Sequence, residues 1–244
     1  MPEGPSIVIL KELTESFIGQ KVIVASGSTK KIEIEKLKGK TIRGIKSWGK
    51  HFLIVFDNFS LRIHFLLFGS YLINERKDAV PRLTLKFKKD ELNFYACSIK
   101  EIAGNLDDVY DWTADVMNAK WDPINAKKKL KAHPHLLVCD ALLDQTIFAG
   151  VGNIIKNEVL YRIKVHPESI VCALPEKKLN ELIQEAVTYS FEFLKWKKEF
   201  TLRAHWLAHN KSICLRCNLP LTRKYLGKTN RRTFFCSNCQ VLYK

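Results

Sequence analysis

Leu142-Leu143-Asp144-Gln145-Thr146-Ile147-Phe148-Ala149-Gly150-Val151-Gly152-Asn153 joins two apolar helical patterns through a turn-rich connection. Two glycines flank Val151, and Asn153 stands where the next helix opens. Such a turn aims several backbone N–H groups of a helix N-terminus at one spot. That suits a phosphate oxygen, with the Asn153 side chain as a further donor. An Asn that merely caps its helix after a glycine turn has the same local sequence, so the surroundings must decide between the two.

On either side the spacing is helical. Residues 136–143 and 154–163 form the flanking helices, and residues 126–131 a short basic one before them. Pro175 opens a longer helix, from Glu176 to about Lys198, with Leu179, Leu182, Ile183, Ala186, Val187 and Ser190 on one side. A polar stretch with Trp112 and Trp121, ended by Pro123, connects this region to what precedes it.

Upstream the period changes. Residues 21–25, 41–48, 52–56, 61–65, 70–73, 83–87 and 92–97 are short apolar runs separated by turn-formers such as Gly39, Asp57-Asn58 and Lys89-Asp90. This predicts an antiparallel sandwich or barrel. Residues 6–17 precede it as a helix, with Pro5 in its first turn and Gly19 at its end.

Downstream, Cys214-x2-Cys217 and Cys236-x2-Cys239 are separated by 18 residues, the two-knuckle spacing of a tetrahedral four-thiolate zinc site. Four thiolates leave no open coordination position, so this zinc is structural. Residues 219–235 between the pairs form a β-hairpin with Lys224, Lys228, Arg231 and Arg232 around its tip. Cys97, Cys139 and Cys172 sit in apolar settings and pack as small hydrophobes.

Three further stretches carry chemistry. Met1-Pro2-Glu3-Gly4-Pro5 begins the chain, and removal of Met1 exposes Pro2 as a secondary amine, a nucleophile toward an aldehyde carbon. Glu3 beside it exchanges protons at the same centre. Lys50 occupies a Gly-marked turn in Trp48-Gly49-Lys50-His51. His64-Phe65-Leu66-Leu67-Phe68-Gly69 holds more large apolar side chains than alternation can bury near its glycine, so some of them form an exposed wedge.

The charge agrees. Lys and Arg number 40 against 25 acidic residues, giving +15 and a pI near 9.5, which calls for a polyanionic partner, nucleic acid before membrane. Nine of the cations and no acid lie between Phe200 and Lys244. No run approaches a membrane span and no signal peptide is evident, which places the chain inside the cell, cytoplasmic or nucleoid-associated.

In this order and spacing the motifs resemble the formamidopyrimidine-DNA glycosylase/endonuclease VIII family of base-excision repair. Pro2-Glu3-Gly4-Pro5 resembles its N-terminus, Gly49-Lys50 its strand-end lysine and His64-x4-Gly69 its wedge loop. Residues 142–153 resemble its helix–two-turns–helix signature. The four-cysteine hairpin, with Arg231 five residues before Cys236, resembles its zinc finger.

The resemblance implies an α+β multidomain fold. A β-sandwich with an N-terminal helix spans 1–115, a helix–two-turns–helix domain 123–210, and a zinc finger 211–244. It implies a monomeric DNA glycosylase and AP lyase acting on damaged double-stranded DNA, with one zinc ion. Pro2 is then the nucleophile, Glu3 the proton donor and acceptor, and Lys50 the aid to β/δ-elimination. Arg231, Asn153 with Gly152, and His64 grip phosphates, while Leu66, Leu67 and Phe68 fill the hole left by the everted base.

The Gly4-Pro5 start and the aromatic Phe68 favour the endonuclease VIII branch, and so oxidised pyrimidines over formamidopyrimidine or 8-oxoguanine. Two departures stand out. Ser6 replaces a glutamate common in the family, and Leu66-Leu67-Phe68 lacks the polar Gln of a Gln-Leu-Tyr wedge, which predicts a weak or different preference for the opposite base. A basic zinc-ribbon protein that binds nucleic acid without chemistry would explain the charge and the cysteines but has no use for Pro2-Glu3.

Overall fold

The computed structural model describes residues 2–244. They form two compact units, the first ending at Tyr110 and the second spanning Asp111–Lys244. The expected α+β architecture is present: an antiparallel sandwich behind an N-terminal helix, a helical region, and a hairpin bearing four clustered cysteines.

In the first unit α1 (Gly4–Leu13) takes Pro5 into its first turn, where a missing N–H costs nothing, and buries Gly4, Pro5, Ile7 and Leu10. Residues 15–17, expected as its continuation, form a separate 3-10 turn, because the Thr14 hydroxyl donates to Leu10 O at 2.7 Å and closes the helix there. The strands are β1 (Val24–Ser26), β2 (Gly44–Trp48), β3 (His51–Val55), β4 (Phe59–His64), β5 (Ser70–Ile73), β6 (Leu83–Lys86), β7 (Glu91–Tyr95) and β8 (Ser98–Ala103). They make two four-stranded sheets, in the orders β1-β6-β7-β5 and β2-β3-β4-β8, antiparallel throughout.

Phe52, Ile54, Leu61 and Ile63 of one sheet meet Leu83, Leu85, Leu92 and Phe94 of the other in one core. The Phe52 and Phe94 rings lie 6.0 Å apart across it, and Ile7 and Leu10 join from α1. The eighth strand is absent from the sequence expectation. Residues 92–97 read as one run, but Ala96 adopts φ 46°, ends β7, and sends the chain into the opposite sheet as β8.

The second unit contains α2 (Pro123–Ala132), α3 (Val138–Ala141), α4 (Asn153–Arg162), α5 (Glu176–Lys198) and the hairpin β9 (Thr222–Leu226)–β10 (Arg231–Phe235). Asp122 caps α2 by accepting from the backbone N–H groups of Ile124 and Asn125. The hairpin is not an isolated appendage held by metal alone. Leu226 and Phe235 lie in the same core as Val138, Ile155, Val159, Leu182 and Tyr189. Cys97 and Cys139 are buried as expected, and burial pushes both thiols up to about 11. Cys172 is instead exposed, on a 3-10 turn of residues 171–173 rather than in the core. Among the described residues no helix is long and apolar enough to cross a membrane.

Candidate nucleic-acid-processing site

The N-terminal pair sits at a fixed point. Pro2 is half-buried, Glu3 is entirely buried (0% exposed), and Glu3 occupies the N-cap position of α1, where the helix dipole favours a carboxylate. Its backbone carbonyl accepts from Ser6 N at 2.8 Å. Met1, whose removal was expected to free the Pro2 amine, lies outside the described residues. α1 packs against β2 and β3, the hairpin whose turn carries Lys50.

That turn is Gly49-Lys50, closed by the Trp48–His51 strand pair, and Gly49 takes φ 52°, which a glycine adopts without strain. Trp48 packs 5.0 Å from the Tyr110 ring and 5.5 Å from that of His51, so the turn that carries Lys50 rests on an aromatic base. The Tyr110 hydroxyl meets His51 Nδ1 at 3.2 Å. Burial, then the nearby charge of Arg62, holds His51 down to about 3, and it is neutral at physiological pH.

His64 ends β4 opposite His51, their rings edge to face at 5.5 Å. Lys50 and His64 are therefore brought together, and Lys50 contributes to lowering the His64 pKa after burial itself. Beyond His64 the chain turns tightly. Phe65 is buried while Leu66, Leu67 and Phe68 are 52%, 46% and 87% exposed, an apolar projection of the kind the sequence called for. Gly69 is required there, because a Cβ would stand 2.2 Å from Phe65 O, and Gly69 N donates to that same oxygen at 2.7 Å.

In the second unit the two turns before α4 are clamped by Gln145. Its Oε1 accepts from Gly150 N at 3.1 Å and its Nε2 donates to Leu143 O and Val151 O. Gly150 takes φ 101°, and Gly152 is the N-cap of α4. Asn153 sits at the first position of α4: Nδ2 donates to Arg232 O at 2.9 Å, while its buried Oδ1 has no hydrogen-bond partner among the described residues. The α4 N-terminus is thus tied to β10, one residue from Arg231, which begins that strand paired with Leu226.

This docking rests on residues that sequence reasoning passed over. Lys156 Nζ, 1% exposed, donates to Thr233 Oγ1 at 2.8 Å, and Asn157 Oδ1 accepts from Phe234 N at 3.2 Å. Glu158 accepts from the backbone N–H groups of Leu207, Ala208 and His209 at 2.7–3.0 Å. Burial raises its carboxyl pKa despite those three donors. Asp140 on α3 accepts Lys228 N with both oxygens at 3.0 Å, fastening the hairpin turn. Three successive polar residues inside an otherwise apolar helix were the available sign of this interface.

Cys214, Cys217, Cys236 and Cys239 converge, their sulfurs all within 4.8 Å of one another. Cys214–Cys239 and Cys217–Cys236 are 3.7 and 3.8 Å apart. The edge of a tetrahedron with zinc–sulfur bonds of about 2.3 Å is about 3.8 Å, so the donor set fits a thiolate-bound zinc. Tyr161 OH lies 3.3 Å from the Cys214 sulfur and Asn238 Nδ2 donates to that of Cys217 at 3.3 Å, outer contacts of the kind that orient metal-bound thiolates.

Comparison with known proteins gives the same assignment from both units. Residues 1–97 match the model for the formamidopyrimidine-DNA glycosylase N-terminal domain, and residues 115–198 match that for the formamidopyrimidine-DNA glycosylase H2TH domain. The chain belongs to the formamidopyrimidine-DNA glycosylase/endonuclease VIII family. It is 31% identical to Endonuclease 8-like 3 of Mus musculus over 83% of this chain but 35% of that protein, so it spans about a third of that relative's length. It is 26% identical to Endonuclease 8-like 2 of Mus musculus, covering 98% of this chain and 96% of that one. It is 27% identical to Formamidopyrimidine-DNA glycosylase of Lactococcus lactis subsp. cremoris, over 98% and 99% of the two chains. A crystal structure of the LlFpg protein with a THF-DNA and an inhibitor has the same fold, with a TM-score of 0.86 at 24% identity over 98% of this chain and 100% of that one. A viral DNA glycosylase does too, at 0.85 and 21% over 98% and 100%.

Proposed function

We propose that this chain is a bifunctional DNA glycosylase and AP lyase of base-excision repair, acting on oxidised pyrimidines in double-stranded DNA. The observation that carries the reading is the half-buried Pro2 directly ahead of the fully buried Glu3 carboxylate, on a helix packed against the hairpin of Lys50. A binding module has no use for a secondary amine beside a sequestered acid.

In this reading the Pro2 nitrogen bonds to C1′ of the damaged nucleotide, the glycosidic bond breaks with its electron pair leaving on the base, and the proton that the amine loses ends on the departing base. Glu3 delivers a proton to the ring oxygen as the sugar opens to an iminium. Loss of a C2′ proton then expels the 3′ phosphate, with Lys50 contacting phosphate and assisting the proton transfer. Water returns the amine. His64, Gly152-Asn153 and Arg231 hold phosphates, and Leu66, Leu67 and Phe68 occupy the vacated stack. Because Asn153 Nδ2 already donates to Arg232 O, its contribution includes placing the α4 N-terminus beside Arg231.

We assign the chemistry to residues 1–115, phosphate binding to 123–210 and the finger to 211–244, with one zinc ion on the four cysteines. When bound, the ion supplies a structural cross-link. The same reading makes the protein an intracellular monomer.

Borohydride trapping tests the chemistry, using untagged protein on duplex DNA containing thymine glycol or an abasic site, beside Pro2→Ala and a form that retains Met1. A covalent adduct only with free Pro2 is expected. An adduct that survives loss of Pro2 moves the nucleophile to a lysine, Lys50 first. No adduct despite tight binding favours a non-catalytic zinc-ribbon protein. Stronger processing of 8-oxoguanine than of thymine glycol overturns the pyrimidine assignment.

A further inference from the structure

The wedge projects from a turn closed by the Gly69 N–Phe65 O bond and braced by the His64 imidazole. Leu66, the first wedge residue, sits at φ 51°, in the left-handed region that is strained for a residue bearing a side chain. Its N–H donates to His64 Nδ1 at 3.2 Å. A ring nitrogen that accepts carries no proton, so the neutral His64 bears its proton on Nε2, which makes that nitrogen a donor. The two nitrogens of one ring therefore have opposite assignments.

We propose that His64 couples phosphate binding to base eversion: Nδ1 holds the Leu66 turn that aims the wedge, while Nε2–H binds a DNA phosphate. This rests on the glycosylase reading and deepens it. Grip and wedge are then one rigid body. A phosphate that seats the imidazole also fixes the direction of Leu66, Leu67 and Phe68.

The surroundings keep the ring neutral and in place. The His51 ring packs edge-on against it at 5.5 Å and is itself fixed by Tyr110. Burial, Lys50 and Arg62 all oppose a positive charge on His64. Protonation at Nδ1 would abolish the acceptor that the Leu66 amide uses.

The test separates the two nitrogens. His64→Asn can place a carbonyl oxygen near the Nδ1 position and keep the Leu66 bond without the distal donor, while His64→Gln can supply a distal amide donor without the proximal acceptor. Binding to DNA with an abasic-site analogue, and fluorescence of 2-aminopurine across from it, report grip and wedge respectively. His64→Asn should keep the fluorescence gain within about twofold and weaken binding about three- to tenfold. His64→Gln should do the reverse, and His64→Ala should lose both. If Asn and Gln depress both readouts alike, the coupling is wrong.

Nitrogen-15 spectra of the DNA-free protein give an independent readout. Nδ1 should be the unprotonated nitrogen, and a ring protonated there overturns the assignment. Wild-type protein that everts the base but forms no borohydride adduct refutes only the glycosylase reading. Binding without any fluorescence gain refutes the coupling.

Discussion

Replacing Phe68 with Ala isolates the wedge from the fold. The ring is 87% exposed and belongs to no core cluster among the described residues, so thermal stability should change by no more than about 2 °C. A phenylalanine side chain offers on the order of 200 Å². Insertion into the base stack would therefore remove roughly 170 Å² from water, worth about 4 kcal/mol at ~25 cal/mol/Å². That is an upper bound, because the duplex loses stacking to admit the ring; aromatic–base stacking comes to about 1–3 kcal/mol by alanine substitution. The expected loss is about 5- to 150-fold in single-turnover excision of thymine glycol from duplex DNA. On a single-stranded oligonucleotide there is no hole to fill, and the loss should shrink below about twofold. Equal rates for variant and wild type on duplex DNA would refute the wedge. Equal losses on both substrates would place Phe68 on the lesion strand instead.

The remaining predictions concern metal, packing and pH. One zinc per chain should be measured by elemental analysis, and stripping it with a chelator should loosen the knuckles around the four cysteines and weaken DNA binding in a mobility-shift assay, while Leu226 and Phe235 keep the hairpin docked on the core. Gly227→Ala places a Cβ 2.2 Å from Asp140 Oδ1 at φ 73°, so strain plus the lost Lys228 N contact should cost about 2–4 kcal/mol, read as a melting point lower by roughly 5–10 °C. Combining it with Asp140→Ala should cost less than the sum of the two, since one change removes the atom that the other strikes. His51 is held at about 3 when folded and returns to its ordinary value near 6.5 when unfolded. Unfolding therefore takes up a proton between those pH values. The stability it confers is complete above about pH 6.5 and falls toward pH 3, with a slope of up to about 1.4 kcal/mol per pH unit. His51→Gln should flatten that part of the curve in urea titrations.

Several features were legible because they are local. The knuckle spacing of Cys214, Cys217, Cys236 and Cys239, the proline next to an acid at Pro2-Glu3, and Gly150-Val151-Gly152-Asn153 ahead of a helix all need only a few adjacent residues. The bounds of α5, Glu176–Lys198, were also available, since a long amphipathic repeat after Pro175 outweighs local irregularity. The surplus of apolar residues at Leu66–Phe68 foretold exposure, because a tight turn cannot bury them all.

What the chain alone determined is therefore the family motifs, the four-cysteine spacing and the alternation of strands and helices, since periodicity and spacing are properties of neighbouring residues. Only the tertiary structure decided how those parts are held. Asp140 meets Lys228 across 88 residues, and Lys156 meets Thr233 across 77. Ala96 ends β7 and lets the chain cross into the other sheet as β8, and the Asn153 amide donates to Arg232 O across 79 residues. The three hydrogen-bonded pairs depend on which distant polar group arrives beside the other when the chain packs. A buried polar group must find a partner, and the partner's identity is fixed by packing rather than by sequence separation.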